Sequence, residues 1–204
     1  MLNKLIVTLL LLLNLQFAVS AATFEQVEQS LNNIKILRAS FNIYTTFQKF
    51  PMPIGGEGYL FLSREHGLYW KQKSPLPMMI TAGKEKYIQQ IPGRNPVIYT
   101  REQKPKLFAT IDAILDSRID GKRGELEKNF SVEFTDLGGS DWKMKLTPKN
   151  GSAVKDFKYL YVEGGDFLKK VECLDRQGNK TEVVFTKVEI NKPPVTELEL
   201  KEFD

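Results

Sequence analysis

The sequence predicts a mainly β (α+β) fold: a barrel or strongly curved antiparallel sheet of about ten or eleven strands, one helix at its start and one or two near its middle. Three observations lead there. Short runs rich in Val, Ile, Phe, Tyr and Thr recur along most of the chain. Turns carrying Gly or Pro separate them at near-regular spacing. Apolar residues at helical spacing are confined to the segments near 24–35 and 105–117, with a shorter candidate near 123–129.

The chain begins MLNKLIVTLLLLLNLQFAVSAA. Lys4 gives a positive start, Leu5 to Leu13 is apolar apart from Thr8, and small residues follow at Ala18, Ser20, Ala21 and Ala22. That order is a secretory signal peptide over residues 1–22, cut near Ala21 or Ala22. An uncleaved anchor is the alternative, but the apolar run falls short of the roughly 20 residues a membrane span needs. No cysteine stands at the cleavage region to take a lipid, which argues against a membrane-anchored protein.

Next, Phe24, Val27, Leu31 and Ile34 mark one helical face, and Thr23 with Gln26 makes a capping box. In ASFNIYTTFQKF, Phe41, Ile43 and Phe47 fall on one strand face. GEGYLFLSR and GLYWKQK form a hairpin around Glu65, His66 and Gly67. PMMIT, KYIQQI and NPVIYT follow, the first pair turning at Ala82-Gly83-Lys84. KPKLFATIDAILDSR then switches to helical spacing at Leu107, Phe108, Ile111, Ile114 and Leu115, with Pro105 suited to a first turn. Strands return with FSVEFTDL, DWKMKLTP, DFKYLYVEG, FLKKVECLD and KTEVVFTKVEI, and VTELELKEF after Pro193-Pro194 reads as a last strand. YLFL and PMMI are apolar on both faces, so something must pack on each side of them. There is no internal repeat and no low-complexity linker, which makes residues 23–204 one domain.

Composition narrows the function. With 29 Lys+Arg against 25 Asp+Glu the net charge is +4, and loss of Lys4 leaves +3. The charges are interleaved, without the basic stripe that nucleic acid requires. A single cysteine, Cys173, cannot form an internal disulfide, and within VECLD it reads as a buried, inert thiol. The single histidine, His66, sits in a turn. No nucleophile-base dyad, G-x-S-x-G elbow, metal-ligand spacing or phosphate loop is present, so the chain is not expected to be an enzyme or to need a cofactor or metal. What is abundant is apolar surface. It either fills a solid core or walls a cavity for a greasy ligand, with the segment 105–117 over one mouth.

Arg64 is the odd residue: alternation puts it on the face of Leu60 and Leu62. The order of elements around it resembles the periplasmic outer-membrane lipoprotein carrier (LolA) family over nearly all of the chain beyond the signal. RASFNIYTTF is similar to the family's F-x-A-S-F-T-Q strand, GYLFLSREHGLYWK to its G-x-L-W-x-x-R-P-x-x-F-x-W hairpin, and MMITAGKEKYI to its L-x-S-D-G-x-x-L-W hairpin. DWKMKLTPK through VVFTKVEIN follows its strand, L-x-P-K, strand, D-x-x-G pattern. There are departures: Glu65 stands for the family's proline, Leu68 for its phenylalanine, and Thr81-Ala82-Gly83 for S-D-G, while Trp70 is kept and KLFATIDAILDSR matches poorly.

The resemblance implies an unclosed half-barrel over residues 23–204, with helices as a lid on an apolar cavity. It implies a monomeric periplasmic carrier that takes acylated lipoproteins from an inner-membrane export complex to an outer-membrane receptor. Arg64 aligns with an arginine that latches the lid by bonding helix carbonyls. Phe41, Ile43, Leu60, Leu62 and Trp70 would wall the cavity, and Leu107, Phe108 and Ile111 would line the lid. A paralogue carrying a glycolipid or other lipid, and an envelope sensor of lipid or lipoprotein on the same fold, remain open alternatives.

Overall fold

The computed structural model describes residues 23–105, 108, 130–149 and 157–203. The signal-peptide reading, the possible helix near 123–129, and Leu107 and Ile111 lie outside them.

The first helix, α1 (Phe24–Asn32), starts where its capping box predicts: Thr23 Oγ1 accepts from Gln26 N at 3.2 Å, and Gln26 Oε1 accepts from Thr23 N at 3.0 Å. It ends at Asn32, three residues short of the reading to 35. The strands are β1 (Ile36–Phe47), β2 (Phe50–Ser63), β3 (Gly67–Gln72), β4 (Met78–Gly83), β5 (Lys86–Gln90), β6 (Val97–Thr100), β7 (Phe130–Gly138), β8 (Asp141–Pro148), β9 (Phe157–Gly164), β10 (Leu168–Asp175) and β11 (Lys180–Ile190).

Among the described residues all eleven strands form one antiparallel sheet, in the order β6-β5-β4-β3-β2-β1-β11-β10-β9-β8-β7. β1 is the hinge of two meanders, β2 to β6 on one side and β11 back to β7 on the other. β6 and β7 do not pair, so the barrel stays open.

One face, here the inner one, is mainly apolar, with Gln72, Gln89, Thr181 and Asp136 towards its margins. Phe24 and Val27 of α1 lie on it with Trp142, Met144 and Leu146 of β8, and Leu31 reaches from this cluster to the next. Two glycines let aromatic rings lie flat against the sheet. A Cβ at Gly58 would stand 2.1 Å from the Phe41 ring, and one at Gly164 would stand 2.3 Å from the Trp142 ring.

The outer face differs between the meanders. From β7 to β11 it alternates cleanly with the apolar face and carries cross-strand ion pairs: Lys145–Glu133 at 3.0 Å, Lys143–Glu163 at 2.9 Å and Lys170–Glu182 at 3.1 Å. From β1 to β4 it is mixed: β1 presents Arg38, Ser40 and Asn42, while Phe61 of β2 and Tyr69 of β3 stand opposite one another as an apolar strip, and the C-terminal segment covers that strip. Phe61, next in sequence to inward-facing Leu60, is only 1% exposed, with the Phe203 ring 5.9 Å away. Thr81 Oγ1 donates to Glu202 O at 3.0 Å, and burial, aided by Glu202, pushes the Tyr69 hydroxyl up to about 12. The two-faced apolar runs in β2 and β4 are thereby explained.

That cover corrects the last predicted strand. VTELELKEF is not a strand but the short helix α2 (Glu197–Leu200) followed by a 3-10 turn over Lys201–Phe203. The alternation of Glu and Leu suggested a strand. The deciding signal is the second capping box, with Thr196 Oγ1 accepting from Glu199 N at 3.3 Å. Glu199 also forks onto Arg38 of β1, Nε to Oε1 at 2.5 Å and Nη2 to Oε2 at 2.7 Å. Arg38 further donates to the carbonyls of Lys192, Pro193 and Pro194 at 3.0, 2.9 and 3.2 Å, and its guanidinium lies 5.2 Å from the Phe61 ring centre.

Candidate functional site: the inner face of the sheet

Antiparallel register assembles the inner wall. Leu37, Ala39, Phe41 and Ile43 of β1 stand opposite Leu62, Leu60, Gly58 and Gly56 of β2. Leu62 and Leu60 stand in turn opposite Leu68 and Trp70 of β3, and these opposite Ala82 and Ile80 of β4. On the other side Phe41 and Ile43 face Phe185 and Val183 of β11. The Phe41 and Trp70 rings stack at 3.9 Å and 23°. Phe41 and Leu60 are buried, whereas Ile43, Leu62, Leu68, Trp70, Val183 and Phe185 are half-buried.

The five predicted wall residues, Phe41, Ile43, Leu60, Leu62 and Trp70, therefore meet in one cluster. Phe108 is fully buried against Ala82, Leu62, Leu68, Tyr87 and Tyr99. It covers the β3–β6 end of the wall, with the Arg101 guanidinium 5.2 Å from its ring centre.

Arg64 follows β2 directly and turns its guanidinium to the end of α1. Its Nε donates to Ile34 O, and its Nη2 donates to Leu31 O at 2.9 Å. Carbonyls in the last turn of a helix lack intrahelical donors and carry the negative end of the helix dipole, so a guanidinium is well placed there. Among the described residues, then, the helix that Arg64 grips is the N-terminal one.

A second side chain holds the same point. Asn191 Nδ2 donates to Asn33 O at 2.8 Å, while its Oδ1 accepts from Lys35 N at 2.8 Å and Ile36 N at 3.0 Å. Its backbone sits at φ 57°, a left-handed conformation that asparagine tolerates. Sequence reading passed over Asn191 and Arg38. The available signals were an asparagine closing a long strand before Lys-Pro-Pro, and an arginine between Leu37 and Ala39 at the start of a strand.

Cys173 lies beside Leu160 and Thr181 across β10, and burial followed by the nearby Asp175 pushes its thiol up to about 11.

The sequence model of the family described as outer membrane lipoprotein carrier protein LolA matches residues 32–198. The chain belongs to the LolA family. Members of this family are periplasmic carriers rather than enzymes, and membership supports a carrier-type role with lipid or lipoprotein as ligand. A comparison with curated proteins finds no match. Among solved structures, the chain is similar to a LolA superfamily protein from Nitrosomonas europaea, at 8% identity over 85% of this chain and 96% of that one, with a TM-score of 0.41. It is similar to a DUF1329 family protein from Desulfovibrio piger at 6% identity, over 88% of this chain and 96% of that one, TM-score 0.47. It is also similar to an outer membrane lipoprotein-sorting protein domain from Vibrio parahaemolyticus at 9% identity, over 87% and 94% of the two chains, TM-score 0.41.

Proposed function

We propose that this protein, processed near Ala21 or Ala22 and acting as a monomer in the periplasm, shields the acyl chains of lipoproteins against the inner wall. It moves them from an inner-membrane export complex to an outer-membrane receptor. The carrying observation is the wall itself. A sheet whose outer face is ion-paired or covered keeps a row of half-buried Ile43, Leu62, Leu68, Trp70, Val183 and Phe185 beneath a helix held at its end by Arg64. Each CH₂ taken from water contributes about 0.8 kcal/mol. A lipoprotein therefore needs such a wall to leave a membrane at a useful rate.

Arg64 sets the release. Hydrogen bonds from a charged donor contribute about 1.5–3 kcal/mol each, so the two to Leu31 and Ile34 hold α1 down by about 3–6 kcal/mol. Roughly four to eight buried methylenes offset that. Acyl chains that displace the helix must also offset the packing of Phe24 and Val27 and the Asn191 bond to Asn33 O, and reclosure of the latch helps expel the cargo at the receptor. Phe41, Leu60 and Trp70 form the floor of the site, and Phe108 belongs to its cover.

The test is mass spectrometry of what the protein carries away from acyl-labelled spheroplasts. Acylated proteins in the complex are the expected result. A small lipid in their place would move the assignment to a paralogue with another amphiphile. Recovery of nothing acylated would remove the carrier reading. Arg64→Leu is expected to load cargo and hand it over poorly, and normal handover by that variant would remove the latch.

A further inference from the structure

The end of the sheet away from Arg64 has a chemistry that shielding acyl chains does not use. Strand alternation gathers four described connections there: residues 48–49, 73–77, 91–96 and 176–179. Their sequences, QK, KSPLP, IPGRNP and RQGN, contain Lys49, Lys73, Arg94 and Arg176 and no carboxylate. The connections at the opposite end mix signs, with Glu65 beside Arg64, Glu85 beside Lys84, and Asp166 between β9 and β10. Among the described residues, Asp175 and Glu182 near this end are engaged away from the four cations, whereas Glu57 faces one of them. Asp175 accepts from Asn179 N at 2.8 Å and Nδ2 at 2.7 Å, Glu57 lies 3.9 Å from Lys73, and Glu182 pairs with Lys170 at 3.1 Å.

Large apolar side chains stand out among these cations. Phe50 and Met52, on the β1–β2 hairpin, are 52% and 66% exposed, Leu76 in the neighbouring connection is 76% exposed, and Phe47 is exposed beside them. The 73–77 connection packs on β2 behind the hairpin tip: a Cβ on Gly56 would stand 2.0 Å from Ser74 O, and Glu57 N donates to Ser74 Oγ at 3.3 Å. β3 pairs only with Gly58–Ser63, so the tip of β2 runs past it. Pro51 and Pro53 in that overhang lack N–H groups, so it is a poor template for an added protein strand. The inner row Leu60, Gly58, Gly56, Ile54 carries no charge between the wall and this tip.

We propose that this end docks on an anionic phospholipid bilayer. Phe47, Phe50, Met52 and Leu76 enter the boundary between headgroups and acyl chains, while Lys49, Lys73, Arg94 and Arg176 meet lipid phosphates. This rests on the carrier reading, and it gives an acyl chain an uncharged path from membrane to wall.

The experiment is flotation of protein purified from periplasmic extract with vesicles of phosphatidylethanolamine and phosphatidylglycerol, and with vesicles of phosphatidylcholine alone. Wild type is expected to float with the anionic vesicles only, and less as salt is raised. Phe50→Ser with Met52→Ser weakens this about tenfold, and Lys49→Glu with Lys73→Glu by at least about fivefold per position. Both variants are expected to keep the unfolding midpoint and the uptake of a pyrene-labelled fatty acid. Flotation that is absent, equal on neutral vesicles, or unchanged in both variants overturns the docking, even where fatty-acid uptake upholds the wall. Absence of uptake by wild type sinks the carrier reading instead.

Discussion

The clasp of Arg38 on Glu199 makes the sharpest energetic test of the fold. Arg38 is 7% exposed and binds both carboxylate oxygens and three carbonyls. Glu199→Gln keeps one acceptor oxygen but removes the charge, which costs about 1–3 kcal/mol. Arg38→Met takes the guanidinium from three carbonyls and leaves the Glu199 carboxylate with Thr196 alone, and costs about 3–5 kcal/mol. Because the two residues share their main interaction, the double variant is expected to fall about 1–3 kcal/mol short of the sum. Urea unfolding followed by the fluorescence of Trp70 and Trp142 reads all four proteins. The hydrogen bond from Arg38 holds the Glu199 carboxyl down at about 2, against an ordinary 4.5. A group with a lowered folded pKa stabilises above its unfolded value, and that stability is lost as pH falls through 4.5 towards about 2. The full shift corresponds to at most about 3 kcal/mol, and solvent screening reduces it to about 1–2 kcal/mol. The advantage of wild type over Glu199→Gln should therefore shrink by roughly 1 kcal/mol between about pH 6 and about pH 3. Additive single and double variants, or an advantage indifferent to pH, would refute the reasoning.

Other perturbations reach the wall and its cover. Gly58→Ala drives a methyl into the Phe41 ring and towards Lys71 O, 2.4 Å from the built Cβ. It should destabilise by about 1–3 kcal/mol in urea, with partial recovery when Phe41→Leu is added. Phe108→Ala empties a fully buried site and should lower the unfolding midpoint while raising access of a fatty-acid probe to the wall, at a cost of about 3–5 kcal/mol. Arg64→Lys replaces a fork by a single ammonium and should hand over cargo at a rate between wild type and Arg64→Leu, measured with acyl-labelled cargo. The Cys173 thiol, raised from 9.0 to about 11, should react with Ellman's reagent at neutral pH about a hundredfold more slowly folded than in urea.

Much of the wall was legible because strands report their faces by alternation. Phe41 with Ile43, and Leu60 with Leu62, could be placed on single faces before any pairing was known. The apolar double-sidedness of YLFL was legible too, as a demand for cover on both sides. What supplied the outer cover was not. Pairing Arg38 with Glu199 joins two ends of the chain through side chains, and local pattern carries no trace of such a partner. VTELELKEF misled because four residues of Glu-Leu alternation satisfy a strand and a short helix alike, and the Thr196–Glu199 box outweighs the alternation. Arg64 was conspicuous only as a charge out of place. Its partners are backbone carbonyls of Leu31 and Ile34, which no sequence spells out.

The position of β1 bears on how the molecule is assembled. β1 pairs with β2 as soon as the first hairpin has emerged, but its other edge waits for β11, with Phe41 meeting Phe185. A ribosome or translocase feeding the chain from its N-terminus releases β11 after the other ten strands described here. Until then the middle of the future sheet is an exposed edge of unpaired amides beside aromatic side chains, the surface on which nascent chains aggregate. The contact that completes the sheet is among the most remote in sequence, so closure at β1–β11 should be the slow, concerted event of folding. A chain shortened before Lys180 would keep a β1–β2 hairpin and lose the seam that unites the two meanders.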